Sequence, residues 1–126
     1  MKDLSDLKDL TFQEMLGMQR ELWEKYKNEW SPLEPRYARE HFLWLFAEIG
    51  EVIDIIKKCG EDGIMNDAKI RAVFTEELCD VLMYFNDILL RYKISPEDMA
   101  VAYTEKHGRN MKRDYAAERN TFAENL

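Results

Sequence analysis

Two pairs of carboxylates are spaced so that each pair lies on one face of a helix. Glu48 and Glu51 form the first pair, and Glu77 and Asp80 form the second. Residues three apart are about one helical turn from each other, so each pair presents its oxygens together. Both pairs lie among apolar residues, whereas acids on a solvated helix face normally have polar neighbours. The pattern indicates four acidic side chains in a partly apolar cleft.

Four carboxylates in such a cleft repel one another and would have raised pKa values unless a positive charge lies among them. A bound divalent cation is the simplest source of that charge. Because the donors are carboxylates and no histidine has a matching spacing, Mg²⁺, or alternatively Mn²⁺, is favoured over Zn²⁺. We expect Glu48, Glu51, Glu77 and Asp80 to be the metal ligands. Plain solvated surface charge is the alternative.

A basic stripe follows in the last predicted helix. Lys106, Asn110 and Arg113 recur at the spacing i, i+4 and i+7. These side chains can donate to phosphate oxygens, and the arginine can do so through two parallel bonds. The same residues also suit the C-terminal end of a helix, where cations interact favourably with the dipole. Together with the acidic pairs, the stripe favours a phosphorylated substrate.

Two further residues are candidates for substrate contact. Trp44 precedes Glu48 by one helical turn and can stack on a base, although packing in a core or an interface explains it equally well. Gln19 interrupts an otherwise apolar stripe and faces either a ligand or the rim of the core. His41 and His107 lack an acid at a telling spacing, and we assign neither a role.

The first two helices are predicted from their caps and breakers. The first should begin at the capping box of Thr11 and Glu14 and end at about Trp30. The second should span about 37–58 and stop at Gly60. Its core stripe is expected to consist of seven apolar residues: Phe42, Leu45, Phe46, Ile49, Val52, Ile53 and Ile56.

The third helix should follow a connection at about 60–68. Asn66 or Asp67 supplies its N-cap, and the helix should reach about Tyr92. On its wheel the second acidic pair falls within the apolar stripe, whereas Asp87 lies toward the polar side.

The fourth helix should begin at Ser95, because a proline follows at the first helical position. The tail, 116–126, is polar and is expected to fray or to pack on a partner. No strand pattern, repeat or linker is found in the sequence. The predicted fold class is therefore all-α, a four-helix bundle-like single domain over 1–126.

Composition limits the classes of partner. The net charge of −7 argues against binding a nucleic-acid polymer, which needs a basic surface. The chain has no apolar run long enough to span a bilayer and no signal-peptide pattern at its start, so we expect a cytoplasmic protein without a membrane partner. Cys59 and Cys79 are expected to be reduced thiols, with Cys79 packed inside. The second and third helices have apolar residues on more than one face, which predicts a homodimer or homotetramer.

These motifs resemble a known family. The segment EIGE at 48–51, followed by EELCDVLMY at 76–84, looks like the paired acidic motif of the MazG-like and dimeric dUTPase superfamily, the all-α nucleoside triphosphate pyrophosphohydrolases. The basic stripe at 106–113 is similar to the phosphate-facing end of the family's last core helix. The resemblance covers about 12–115, with a longer central connection than the shortest members have and a cysteine where a small residue is common.

The resemblance implies Mg²⁺-dependent hydrolysis of a nucleoside triphosphate between its α and β phosphates. The products are the monophosphate and pyrophosphate, which makes the chain a hydrolase of acid anhydrides. In this reaction Glu48 or Glu51 is expected to act as the catalytic base. The resemblance does not choose among standard, non-standard and deoxy nucleotides. Two alternatives stay open: a non-enzymatic helical interaction module, and a carboxylate-bridged di-iron bundle, which normally needs Glu-x-x-His pairs that this chain lacks.

Overall fold

A computed structural model describes Leu4, Leu7 and residues 9–126. Over these residues it has five α-helices and no strand, which confirms the all-α class but gives one helix more than predicted. The chain divides into two compact units, Met1–Ser95 and Pro96–Leu126, and each is described by itself. The single-domain assignment stays a prediction.

Helix α1, Phe12–Tyr26, begins at the predicted capping box. Thr11 Oγ1 accepts from the Glu14 amide at 3.1 Å, and the Glu14 carboxylate accepts from the Thr11 amide at 3.2 Å. The predicted end near Trp30 is wrong. The carbonyl of Tyr26 instead accepts from the amides of Glu29 and Trp30, both at 2.9 Å, and closes a turn there.

Helix α2, Arg39–Asn66, consists of two helical segments that meet at a kink. A 3-10 turn at Pro35–Tyr37 precedes it, so the α-helix begins two residues later than expected. Gly60 has a φ of 68° and a ψ of 169°, which are not helical angles, so the helix is interrupted where the sequence predicts a stop. Glycine accepts this positive φ because it has no Cβ. The predicted stop at Gly60 is therefore confirmed, and the predicted connection at 60–68 contains a short helical segment that ends at Asp67.

Helix α3, Ala68–Arg91, agrees with its prediction to within a residue at its end. Asp67 is the N-cap, and its Oδ1 accepts from the amides of Lys69 at 2.9 Å and Ile70 at 3.2 Å. A side-chain oxygen at this position satisfies helix amides that have no intrahelical acceptor. Asp67 therefore ends one helix and starts the other.

Helices α2 and α3 pack against each other antiparallel, and α1 packs on α3. Residue numbers rise along α2 as they fall along α3 in three facing pairs: His41 with Asp87, Trp44 with Tyr84, and Glu51 with Glu77. The connection between the packed segments runs from the kink at Gly60 to the N-cap Asp67. This register sets the two acidic pairs opposite each other.

The predicted core stripe of α2 is only partly correct. Val52 is buried, whereas Phe42, Phe46 and Ile53 are exposed. The apolar residues that are buried come from α1, α2 and α3 and from Ala38 just before α2: Leu16, Ala38, Val52, Ile64, Ile88, Leu89 and Leu90. A helical wheel groups apolar residues but does not say whether they face this chain or another molecule.

A buried ion pair joins two turns of α3. The Arg91 side chain is only 1% exposed, and its Nε donates to Asp87 Oδ1 at 2.5 Å. Arg91 Nη1 also donates to Ser31 Oγ at 2.9 Å and to the Pro32 carbonyl at 2.7 Å. The prediction that Asp87 lies toward the polar side is therefore wrong, because Arg91 neutralises it inside the fold.

The second unit contains α4, Pro96–Lys112, and α5, Tyr115–Glu124. Asp114 is the N-cap of α5, and its Oδ1 accepts from the amide of Ala117 at 3.0 Å. The segment 116–126, predicted to fray or to pack on a partner, is helical over most of its length.

Within the described part of the chain, no helix is long and apolar enough to cross a membrane. The expectation of no signal peptide concerns residues 1–6, of which only Leu4 is described. Cys59 and Cys79 are free thiols, as expected, but both are exposed. The prediction that Cys79 is packed inside is therefore wrong.

We expect Arg91→Met to lower the free energy of unfolding by about 3–5 kcal/mol, because it leaves the Asp87 carboxylate buried without its partner. Urea unfolding measures the change. Lys27→Met is the matched control, since Lys27 pairs with Glu24 at 3.2 Å on the surface, and should cost about 1 kcal/mol or less. Equal losses in both variants would contradict a structural role for the buried pair.

Candidate functional site

Three of the four predicted metal ligands meet between α2 and α3. Glu48, Glu51 and Glu77 each offer one carboxylate oxygen, and these oxygens all lie within 4.8 Å of one another. We call these three residues the acidic cluster. Glu48 and Glu77 are half-buried, whereas Glu51 is exposed. The antiparallel register brings the third acid across from the first two.

Two oxygens of the acidic cluster have no hydrogen-bond partner within the described residues. Glu48 Oε2 and Glu77 Oε2 are closed off from solvent and accept from no donor. A buried acceptor left in this state is costly, so such atoms normally have a ligand. Hard oxygen donors converging on one point are the donor set that Mg²⁺ or Mn²⁺ prefers. The residues present therefore fit a divalent cation.

The carboxylates of the cluster hold their protons more tightly than free ones. Burial raises the pKa of the Glu48 carboxyl above its usual range, and the charges of Glu51 and Asp80 raise it further. For Glu77, a hydrogen bond with Glu51 is the largest cause of a raised pKa, followed by burial and the neighbouring charges. Without a cation, the cluster lowers its charge by sharing protons.

Asp80, the fourth predicted ligand, lies beside the cluster. Its charge raises the pKa of both Glu48 and Glu77, which places it within electrostatic reach of them. It also lines a cavity of about 470 Å³, a size typical of small-molecule sites. The cavity is lined by α1, α2, α3 and the segment after α1: Gln19, Leu22, Glu29, Trp30, Ser31, Glu40, His41, Trp44, Asp80, Met83, Tyr84, Asp87 and Arg91.

Both residues proposed for base contact line this cavity. Gln19 is only 9% exposed, and no hydrogen bond from its amide is found among the described residues. Trp44 is half-exposed, and its ring centroid lies 6.4 Å from that of Tyr84. Burial raises the pKa of the Tyr84 phenol, with Glu48 the largest charge contribution, so this hydroxyl stays protonated. The wall thus combines aromatic rings with polar groups.

His41, to which the sequence assigned no role, is a buried member of the cavity wall. Its Nε2 lies 3.3 Å from Asp87 Oδ1, and its Nδ1 lies 3.0 Å from the Tyr37 carbonyl. Burial lowers the pKa of the imidazole, and the Asp87 charge opposes this. Sequence spacing could not reveal the pair, because the two residues come from different helices.

The predicted phosphate-binding residues belong to the second unit. Arg113 donates to both oxygens of Glu118, with Nη2 2.6 Å from Oε2 and Nε 3.0 Å from Oε1. This hydrogen bond raises the pKa of Arg113 and lowers that of Glu118. Asn110 Oδ1 is buried without a hydrogen-bond partner, and Lys106 is exposed. Arg113 thus makes its paired hydrogen bonds with a carboxylate, and its contact with a phosphate stays a prediction.

We expect Glu48→Gln to stabilise the metal-free protein near neutral pH. Because the pKa of Glu48 is raised on folding, the folded state binds this proton more tightly than the unfolded chain does. The resulting stability is complete below the ordinary pKa of 4.5 and is lost as the pH rises through the raised value. In the presence of a chelator, Glu48→Gln should therefore melt a few degrees above the wild type at neutral pH. This difference in melting temperature should decrease as the pH is lowered.

Thermal melting followed by circular dichroism across this pH range measures the gap. Glu76→Gln is the matched control, because Glu76 is the exposed neighbour of Glu77, and it should leave the profile unchanged. Saturating Mg²⁺ should then stabilise the wild type more than the Glu48 variant. A Glu48→Gln protein that melts below the wild type in chelator at neutral pH would contradict this account.

A comparison of the chain with protein-family models, curated proteins and solved structures found no match. The likeness to the MazG-like and dimeric dUTPase superfamily therefore stays a prediction from the acidic motifs at 48–51 and 76–84. The function proposed below is based on the acidic cluster and the cavity beside it.

Proposed function

We propose that this chain hydrolyses a nucleoside triphosphate to the monophosphate and pyrophosphate, with Mg²⁺, or alternatively Mn²⁺, at the acidic cluster. The observation that carries the proposal is the pair of solvent-closed oxygens, Glu48 Oε2 and Glu77 Oε2, which have no donor among the described residues. They lie in a cluster of three carboxylates, and Asp80 beside them lines a cavity of small-molecule size. The cytosol, where the exposed thiols stay reduced, is the proposed location.

Glu48, Glu51, Glu77 and Asp80 would hold the cation. When bound, it would neutralise phosphate charge and lower the pKa of an attacking water. One carboxylate of the α2 pair, Glu48 or Glu51, would then take the proton of that water, since both belong to the acidic cluster.

The cavity would receive the base of the nucleotide. Trp44 offers an aromatic face one helical turn from Glu48, and stacking on a base is worth about 1–3 kcal/mol. The Gln19 amide has both a donor and an acceptor, and this side chain lines the cavity. A heterocycle with adjacent donor and acceptor groups would satisfy both. Gln19 would thus form hydrogen bonds with the edge of the base, while Trp44 stacks on its face.

Lys106, Asn110 and Arg113 are proposed to meet phosphate oxygens. The support is chemical: Arg113 already binds the two oxygens of Glu118 side by side, which is the geometry that a phosphate also uses. A phosphate at Arg113 would have to replace Glu118. That exchange is feasible because both side chains are partly exposed, where ion pairs contribute little to stability.

A homo-oligomer, either a dimer or a tetramer, is the proposed assembly. Leu43, Phe46 and Ile53 of α2 are exposed, the first two at 68% and 65%. With Gly50 they recur at a spacing that forms one helical stripe, and nothing lies within 4 Å of the position where a Cβ at Gly50 would be. Exposed apolar area of this kind is typical of a protein interface.

We expect Phe46→Glu to shift the assembly toward monomer, because a charge in an apolar interface loses its hydration without gaining a partner. Light scattering coupled to gel filtration measures the mass of the 15.1 kDa chain and its oligomers. Lys58→Glu, on the same helix but off the stripe, is the control and should keep the wild-type mass. A wild type that is monomeric at micromolar concentration would contradict the proposed assembly.

A pyrophosphate-release screen over standard and damaged nucleotides, with and without Mg²⁺, tests the activity. We expect metal-dependent release and a loss of about 100-fold or more in Glu51→Gln and Asp80→Asn, without unfolding, because each removes charge that holds the metal. Glu76→Gln is the matched control and should keep activity within about twofold of the wild type.

No release from any nucleotide would contradict the enzymatic proposal. The interaction-module alternative would then be favoured if acid-to-amide variants were more stable while Mg²⁺ and nucleotides left the wild-type melting temperature unchanged. Stoichiometric iron with a visible absorption band would instead favour the di-iron alternative.

A further inference from the structure

A buried polar chain crosses the first unit and ends at the aromatic wall of the cavity. It begins where Ser31 Oγ and the Pro32 carbonyl accept from Arg91 Nη1 at 2.9 Å and 2.7 Å. Arg91 Nε donates to Asp87 Oδ1, and the same oxygen lies 3.3 Å from His41 Nε2. The chain thus links the segment after α1, helix α3 and helix α2 through three side chains that are all buried.

The chain holds the His41 ring in one orientation. The Tyr37 carbonyl lies 3.0 Å from Nδ1, so each ring nitrogen faces an oxygen acceptor. Rotation of the ring about either side-chain bond would break both contacts inside the fold. Asp87 is fixed in turn by Arg91, which is the least exposed side chain of the three. Charge-assisted hydrogen bonds are short and directional, so this ring is rigidly placed.

The His41 ring also contacts the Trp44 ring. The edge-on contact of His41 with Trp44 has a centroid separation of 4.7 Å, shorter than the 6.4 Å between Trp44 and Tyr84. Trp44 is half-exposed, so the rest of the fold holds its indole on one side only. His41 is therefore the nearest aromatic neighbour that limits the rotation of Trp44.

We propose that His41 and Asp87 are positioning residues that fix the plane of the Trp44 indole in the cavity wall. The idea that Trp44 stacks on a heterocycle rests on the proposed function, whereas the positioning of Trp44 by His41 and Asp87 does not. The role differs from general stability because it acts on one side chain. A buried ion pair that only supported the fold would affect all the tryptophans alike.

The test compares the mobility of the Trp44 indole in the wild type and in His41→Phe. Phenylalanine keeps a ring against Trp44 but removes the polar contacts of both ring nitrogens, with Asp87 and with the Tyr37 carbonyl. The readout is the heteronuclear NOE of the indole N–H groups, with the Trp44 signal assigned from Trp44→Phe. Trp23 is an internal reference, because its Nε1 donates to the Ser31 carbonyl at 2.9 Å. His107→Phe in the second unit is the matched control substitution.

We expect the Trp44 NOE in His41→Phe to fall toward values of a mobile side chain, while the Trp23 value is retained. His107→Phe should leave both unchanged. In the turnover assay, His41→Phe should raise KM about tenfold with kcat within about twofold, because the stacking plane is lost while the acidic cluster is intact. An unchanged Trp44 NOE in folded His41→Phe would overturn the proposal.

Asp87→Asn provides a second route if His41→Phe does not fold. It keeps the side-chain shape but weakens the contacts to both Arg91 and His41, and it should raise Trp44 mobility in the same direction. Equal loosening of Trp44 and Trp23 in that variant would overturn the proposal in favour of a purely structural role. If the wild type turns over no nucleotide, the proposed function fails, but the NOE comparison still decides the positioning role.

Discussion

The antiparallel register of α2 and α3 is the constraint on which the rest of this molecule depends. The chain reverses between the kink at Gly60 and Asp67, which caps α3. The register places Glu48 and Glu51 across from Glu77. Further along it places His41 across from Asp87. The same helix contact therefore builds the fold, the acidic cluster and the polar wall of the cavity.

The carboxylates of this helix pair differ in whether the chain supplies a counter-charge. At one end, Arg91 lies against Asp87 inside the fold, so the carboxylate has its counter-charge within the chain. At the other end, no cationic side chain forms an ion pair with Glu48 or Glu77 in the part of the chain described, and each keeps an oxygen without a donor. A buried charge without a partner is costly. The Asp87–Arg91 pair therefore needs no further counter-charge, whereas the acidic cluster is suited to a ligand from outside the chain.

Local chemistry made some features predictable from the sequence. The capping box at Thr11, the N-cap at Asp67 and the length of α3 depend on neighbouring residues, and all three are confirmed. The acidic residues were recognisable because their spacing matches a helical turn and their neighbours are apolar. The break at Gly60 was predictable for the same reason, because glycine accepts a positive φ at a helix end, and its angles interrupt the helix there.

Features that depend on tertiary contacts were not predictable in this way. His41 and Asp87 form a pair only because the register brings them together, and neither has a local signature. Phe46 and Cys79 were expected inside, but both are exposed, since an apolar pattern does not specify which surface covers it. The sequence therefore indicated which acids lie together more reliably than which residues are buried.

The most direct test of the central claim is the anomalous scattering of crystals grown with Mn²⁺. The account predicts a strong anomalous peak within bonding distance of the Glu48, Glu51 and Glu77 carboxylates, and its loss in Glu48→Gln crystals prepared in the same way. Wild-type crystals at saturating Mn²⁺ without a peak at the acidic cluster would contradict the claim that these carboxylates form a metal site.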